Sequence, residues 1–331
     1  MTAYIIRRVW QMIPTLAGVI LLIFFLFNAV GGDPALVLAG KISNPEQIEN
    51  IRKQLGVDKS YPEQLRNFVW EVGNGFTCTY VSYTDPARKA DQPCQPVRSW
   101  ATNEEISKIF KTRVGPTLTI MLPVLLLETL IGVILAIGVA YVRGTLTDRM
   151  IMMTCTVAMS ISFLVYIIVF QYYFGFKWGI FPVQGWSDSF WKNLITYAPL
   201  PVMLAVFVGL APTLRLYRSF FLDEINQDYV RTARAKGLSE RKVMLKHVLR
   251  NAMIPILTNI GIAVPGLFVG SFLLETFFSI PGLGREILLA VNRSDFPVIK
   301  AATVYLAMIT MLINLTVDVM YKVVDPRVTL K

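Results

Sequence analysis

Few residues in this sequence have both the type and the setting to do chemistry, and their pattern excludes most chemistries. The apolar stretches hold three acids, Glu128, Glu275 and Asp318. A carboxylate in hydrocarbon is costly enough to need a reason. Glu128 lies in mid-stretch, where it can face a polar pathway, make a helix-packing hydrogen bond or sit protonated. Glu275 falls near the outer end of its stretch and can line an outer gate or rest at the interface, whereas Asp318, near the opposite end, reads as structural. His247 is the only histidine, so a catalytic histidine arrangement or a metal cluster finds no partners here. Gly282-Leu283-Gly284 lacks the strand and helix of a phosphate loop and reads as a turn, and no Gly-x-x-x-x-Gly-Lys-Ser/Thr string occurs. The chain is therefore expected to be non-catalytic, with no metal and no cofactor of its own.

The other constellation is basic. Between Leu222 and Pro255 runs a polar stretch that looks helical on both sides of Gly237. Tyr229 to Lys236 reads as a short amphipathic helix with Tyr229, Ala233 and Lys236 near one face, and Gly237 sits where a helix C-cap wants positive φ. Ser239 reads as the N-cap of a following helix, Glu240 to Asn251, with Lys and Arg on one face and Val243, His247 and Val248 on another. The small Ala233 and Ala235 suit close approach by a partner, and Arg231, Arg234 and Lys236 suit an acidic one.

The elements that must hold these residues are membrane spans. Of 331 residues, 54% are hydrophobic and only 16% charged, and the mean hydropathy is positive, so lipid is the expected solvent. The formal charge of +10 comes without a nucleic-acid-binding pattern and fits loops facing the cytoplasm and lipid head groups. A span across ~30 Å of hydrocarbon takes about 20 apolar residues. Six stretches qualify: Val9 to Val30, Leu118 to Val142, Met150 to Phe174, Pro199 to Phe221, Ala252 to Phe278, and Ala301 to Val323. The first is too long for a signal peptide and is expected to be retained. An even count puts both termini on one side. Arg7, Arg8, Arg143, Arg149, the set from Arg215 to Arg250, Lys322, Arg327 and Lys331 mark that side as cytoplasmic.

The segment 31–113 then lies outside the cytoplasm, with helix-like pieces at Pro45 to Leu55 and Tyr61 to Val72. In an oxidising compartment Cys78 and Cys94 can form a disulfide, worth ~3 kcal/mol in the chain-entropy model; two free thiols are the alternative. The organisation expected is an N-terminal segment and first span (1–30), an extracytoplasmic segment (31–113), and a core of five spans (114–331) containing the loop 222–251.

Asp228-Tyr229-Val230-Arg231-Thr232-Ala233-Arg234-Ala235-Lys236-Gly237-Leu238, followed by Asn251-Ala252-Met253-Ile254-Pro255, resembles the coupling loop of ABC importer permeases in its oligopeptide/dipeptide form. Where the general motif begins Glu-Ala-Ala, this chain has Arg231-Thr232-Ala233, as in the peptide subfamily. Tyr4-Ile5-Ile6-Arg7-Arg8, Gly32-Asp33-Pro34, Glu275 to Gly284, and Asp318 to Arg327 extend the resemblance to the B-type permease over nearly the whole chain. It implies an all-α membrane protein of six transmembrane helices with the type I importer permease fold. It also implies partners: a second homologous permease, two cytosolic ATPase subunits that carry ATP and Mg, and an extracytoplasmic solute-binding protein delivering peptide. The expected place is the bacterial inner membrane, surrounded by lipid. A channel or proton-coupled carrier would want ionisable groups through several spans, and an intramembrane enzyme paired acids or a serine–histidine arrangement; three scattered acids fit neither well.

Overall fold

In a computed structural model, residues 2–30, 35–36, 44–55, 57–74, 76 and 96–324 are described. Gly32-Asp33-Pro34, Cys78, Cys94 and the carboxy-terminal residues from 325 onward lie outside them. Among the described residues the structure is helical, with one isolated bridge between Arg98 and Glu105. Helices satisfy their own backbone groups, which apolar surroundings demand. The chain divides into two compact units, Met1–Val114 with Glu286–Lys331, and Gly115–Arg285.

Among the described residues five helices are long and apolar enough to cross a membrane: Ile6–Asn28, Ile106–Tyr141, Pro199–Ile225, Glu240–Phe277 and Phe296–Val319. The sixth expected span, Met150 to Phe174, is not one continuous helix. It consists of Leu146–Ser160 and Phe163–Lys177, bent by 92° to each other. Thr154, Thr156 and Ser160 each turn a hydroxyl back onto the carbonyl four residues earlier, all at 2.9 Å, as Thr119, Thr303 and Thr316 do within unbroken helices. Ile161 (φ −88°, ψ 133°) and Ser162 (φ −59°, ψ 139°) are extended. Beyond the corner the Tyr166 hydroxyl donates to the Ala158 carbonyl at 3.0 Å and ties the two pieces together.

In the first unit the Thr2–Phe25 helix packs along Phe296–Val324, and Arg8 pairs with Asp318 at 2.9 Å. Asp318 thus has the structural partner its position suggested. The Pro45–Leu55 and Tyr61–Gly73 helices lie where the pattern placed them. Phe76 is buried beside Tyr305, Lys300 stands over the rings of Phe27 and Phe68, and buried Asp295 accepts from the Ser99 hydroxyl and the Trp100 N–H.

The second unit is built around Pro199–Ile225, against which Leu146–Ser160, Phe163–Phe170 and Leu249–Val269 pack. One apolar cluster, with Tyr217, Phe221, Ile225, Val243, Val248 and Ile256, lies toward the polar loop. The other, with Ile120, Ile167, Leu200, Leu204, Leu274 and Ile280, lies toward the opposite end of the same helix.

Candidate functional site

The Pro199–Ile225 helix stops at Asn226, and Gln227 turns extended (φ −73°, ψ 152°) before Asp228–Ala235 begins. Asp228 occupies the first turn, where a negative charge meets the positive end of the helix dipole. An eight-residue helix is too short to hold itself in water. Its inner face supplies the hold: Val230 and Ala233 are buried in the apolar cluster with Ile225, Val243 and Val248. The Tyr229 hydroxyl donates to Glu224 at the end of the preceding helix. Burial, and then that carboxylate, push the Tyr229 phenol up to about 12.

The exit is a Schellman turn. Gly237 has φ +77°, its N–H bonds the Arg234 carbonyl at 2.9 Å, and the Leu238 N–H reaches the Ala233 carbonyl at 3.4 Å. Ser239 is extended but makes no side-chain cap. Arg234 instead donates from Nε and NH2 to the two oxygens of Glu240 at 2.7 and 3.2 Å and ties the short helix to the next one. The chain then continues through a wide turn, Val243–Val248, into Leu249–Val269, with His247 half-buried in that turn.

The expected face assignment needs adjustment. Ala233 points into the protein and is closed to a partner, while Arg234 is engaged with Glu240. The face left open carries Asp228, Arg231, Thr232, Ala235, Lys236 and Leu238. Arg231 reaches Asp228 only at 3.5 Å across a fully exposed turn, so its charge remains available to a partner. At the foot of the helix is a cavity of ≈300 Å³ bordered by Tyr141, Arg143, Ile225, Arg234, Glu240 and Met244.

A second ion pair braces the same end of the unit, and the sequence reading passed over it. Asp148, 4% exposed, accepts from Arg218 Nε at 2.8 Å, from Arg218 NH2 at 2.7 Å and from the Gly144 N–H at 2.9 Å. Thr145 caps the helix through the Asp148 N–H, and Arg143 NH1 donates to Asn226 Oδ1 at 3.0 Å, at the root of the loop. The Thr145-Leu146-Thr147-Asp148 string carries a helix-start signature, but nothing near it points to Arg218, 70 positions away.

The two remaining acids are occupied. Glu128 accepts from the Thr213 hydroxyl and lies against Gly209, where a Cβ would meet its carboxylate. Glu275, 1% exposed, accepts from the Thr117 hydroxyl at 2.9 Å and the Arg285 N–H at 2.8 Å. Gly270, Gly282 and Gly284 press against that carboxylate; a Cβ at Gly270 or Gly282 would collide with it, and one at Gly284 would sit tightly against it. Glu275 is therefore the centre of a polar knot in which neither carboxylate oxygen is open to solvent. Among the described residues no group of three or more His, Cys, Asp or Glu is placed to hold a metal ion.

Residues 129–330 match the family of binding-protein-dependent transport system inner membrane components, and residues 1–121 match the N-terminal part of such membrane components. The chain is similar to the dipeptide transport system permease protein DppB of Escherichia coli (strain K12), with 30% identity over 354 residues covering 99% of each chain. It is likewise similar to the glutathione transport system permease protein GsiC of Salmonella typhimurium (strain LT2), with 32% identity over 331 residues covering 100% of each.

Proposed function

The chain belongs to the family of binding-protein-dependent transport system inner membrane components, and from that membership we propose that it is the translocation subunit of an ATP-driven peptide importer, coupled to its motor through Asp228–Ala235. The observation that carries this reading is the two-faced build of that helix. Val230 and Ala233 are set into the core of the spans, while Arg231, Thr232, Ala235 and Lys236 stand in solvent. A push on the outer face has no slack to take up, because the Schellman turn and the Arg234–Glu240 bridge fix both the end of the helix and its successor.

The basic loops support a cytoplasmic position for both termini and for this helix. Two cytosolic ATPase subunits would bind ATP and Mg, dock on this chain and on a second homologous permease, and close on nucleotide binding. The helix would move with its docking cleft, and the spans would tilt toward an outward-open form. An extracytoplasmic solute-binding protein would deliver the peptide, and hydrolysis in the ATPases would reset the cycle. The cargo class rests on relatives named for dipeptide and glutathione transport.

The test is site-directed crosslinking in membranes holding all subunits. Ala235→Cys should crosslink to a cysteine in the ATPase docking cleft, whereas Ala233→Cys, facing inward, should not. Absence of any ATPase adduct from Ala235, Arg231 or Lys236 positions would overturn the reading.

A further inference from the structure

The corner in the broken span is unusual for what it leaves unpaired. Ser160, Ile161 and Ser162 are exposed. The Ile161 N–H bonds the Ala158 carbonyl, but among the described residues nothing donates to the carbonyls of Ser160 and Ile161. Ser162 makes no side-chain cap; its carbonyl takes the N–H groups of Val165 and Tyr166, and among the described residues those of Phe163 and Leu164 are open as well.

Two lengths along the chain bear on the depth of this corner. Asp148 is locked to Arg218, and from Asp148 to Ile161 is about 20 Å of helix rise, inside a hydrocarbon layer of ~30 Å. Measured from the other side, Tyr166 packs edge-on against Phe207 with ring centroids 5.9 Å apart. Phe207 lies about 12 Å of rise inside the Pro199 end of its helix. Exposed main chain with unsatisfied N–H and C=O groups at that depth cannot face lipid. It persists only where protein covers it or water reaches it. Exposed Thr154, Thr156 and Met159 stand beside the two serines, among exposed apolar Val157, Leu164 and Val165, a mixed lining in which the thioether is the adaptable part.

We propose that the Ser160–Ser162 corner forms part of the wall of the translocation pathway, where water, and in turn the main chain of the passing cargo, satisfies its open backbone groups. Main-chain pairing is indifferent to side chains, which suits a carrier of peptides. This inference rests on the function proposed above, including the orientation of the chain.

Ser160→Cys and Ser162→Cys, placed singly in the full importer, are treated from the extracytoplasmic side with the charged thiol reagent methanethiosulfonate-ethyltrimethylammonium. The rate is read as the increment over the parent chain, once without nucleotide and once trapped with ATP and vanadate. Exposed, apolar Leu130→Cys is the comparison. Both serine positions should label about tenfold faster in the trapped state than in the nucleotide-free state, because a wall residue changes sides with the cycle, while Leu130→Cys stays slow in both. If one variant fails to assemble, Ile161→Cys carries the same readout. Slow labelling in both states, or equal fast labelling in both, overturns the inference. Co-purification of the ATPases with the parent chain is scored separately, and its failure would strike the proposed function instead.

Discussion

Gly237 offers the sharpest probe of the loop, because its surroundings isolate one physical cause. A Cβ built on it meets no heavy atom within 4 Å, yet its φ is +77°. A side chain here costs backbone strain alone, with no steric collision. Left-handed backbone costs an L-residue about 1–2 kcal/mol, with Asn at the low end and a β-branched residue at the high end. The Schellman bonds of Gly237 and Leu238 hold only while that φ is kept, so the substitution favours an unravelled exit that no longer presents the helix in its docked form. If the competing form is close in energy, the docking-competent fraction falls by roughly 5- to 30-fold and the apparent affinity for the ATPase falls with it. The assay is a titration of purified ATPase subunits onto the permease in lipid nanodiscs, with Gly237 and its Asn, Ala and Val variants. The expected order of affinity is Gly, then Asn, Ala and Val, at equal membrane insertion. Val binding as tightly as Gly would refute the argument from φ. Asn binding as poorly as Val would show that bulk at an interface, and not backbone conformation, is what matters.

Three further outcomes follow from the packing. Asp148→Asn removes one partner of a buried, bidentate pair and leaves Arg218 uncompensated, a loss of about 3 kcal/mol that should appear as a clear drop in the melting temperature of the purified complex; an unchanged melting temperature would mean that the brace is idle. Gly282→Ala sets a methyl group against a Glu275 carboxylate already held by Thr117 and Arg285, at a cost of about 1–3 kcal/mol, whereas Gly138→Ala, with open space around it, should be neutral or stabilising, and equal effects would dissolve the knot. Burial pushes the Glu71 carboxyl up from 4.5 to about 7, with Lys300 partly offsetting it. The folded state therefore holds this proton more tightly than the unfolded state, so the stabilisation is complete below the ordinary value and lost as pH rises through about 7. Melting temperature should fall across that window in the wild type and less steeply in Glu71→Gln; parallel curves would discount the effect.

How much of this was legible in the chain depends on the range of the interactions involved. The loop helix could be read because its determinants are neighbours: Gly237 ends it, Val230 and Ala233 recur at helical spacing, and the motif is one unbroken string. Its inner and outer faces were less legible, since Ala233 goes inward only because Val243 and Val248 come from the next helix to receive it. Glu275 read as a gate or interface residue because its partner Thr117 is 158 positions away, and the nearby Gly282 and Gly284 read only as a turn. The Asp148–Arg218 brace, spanning 70 positions, was hidden for the same reason. The corner at Ile161 is a different case. The stretch from Met150 to Phe174 has neither proline nor glycine at the break, so hydropathy runs through it uninterrupted and no local residue marks it. Hydropathy measures whether side chains tolerate lipid and is blind to whether the backbone is paired. A span that passes the first criterion and fails the second must meet water or protein at depth. For that reason the residue triplet proposed for the pathway wall is one that composition alone treats as ordinary membrane.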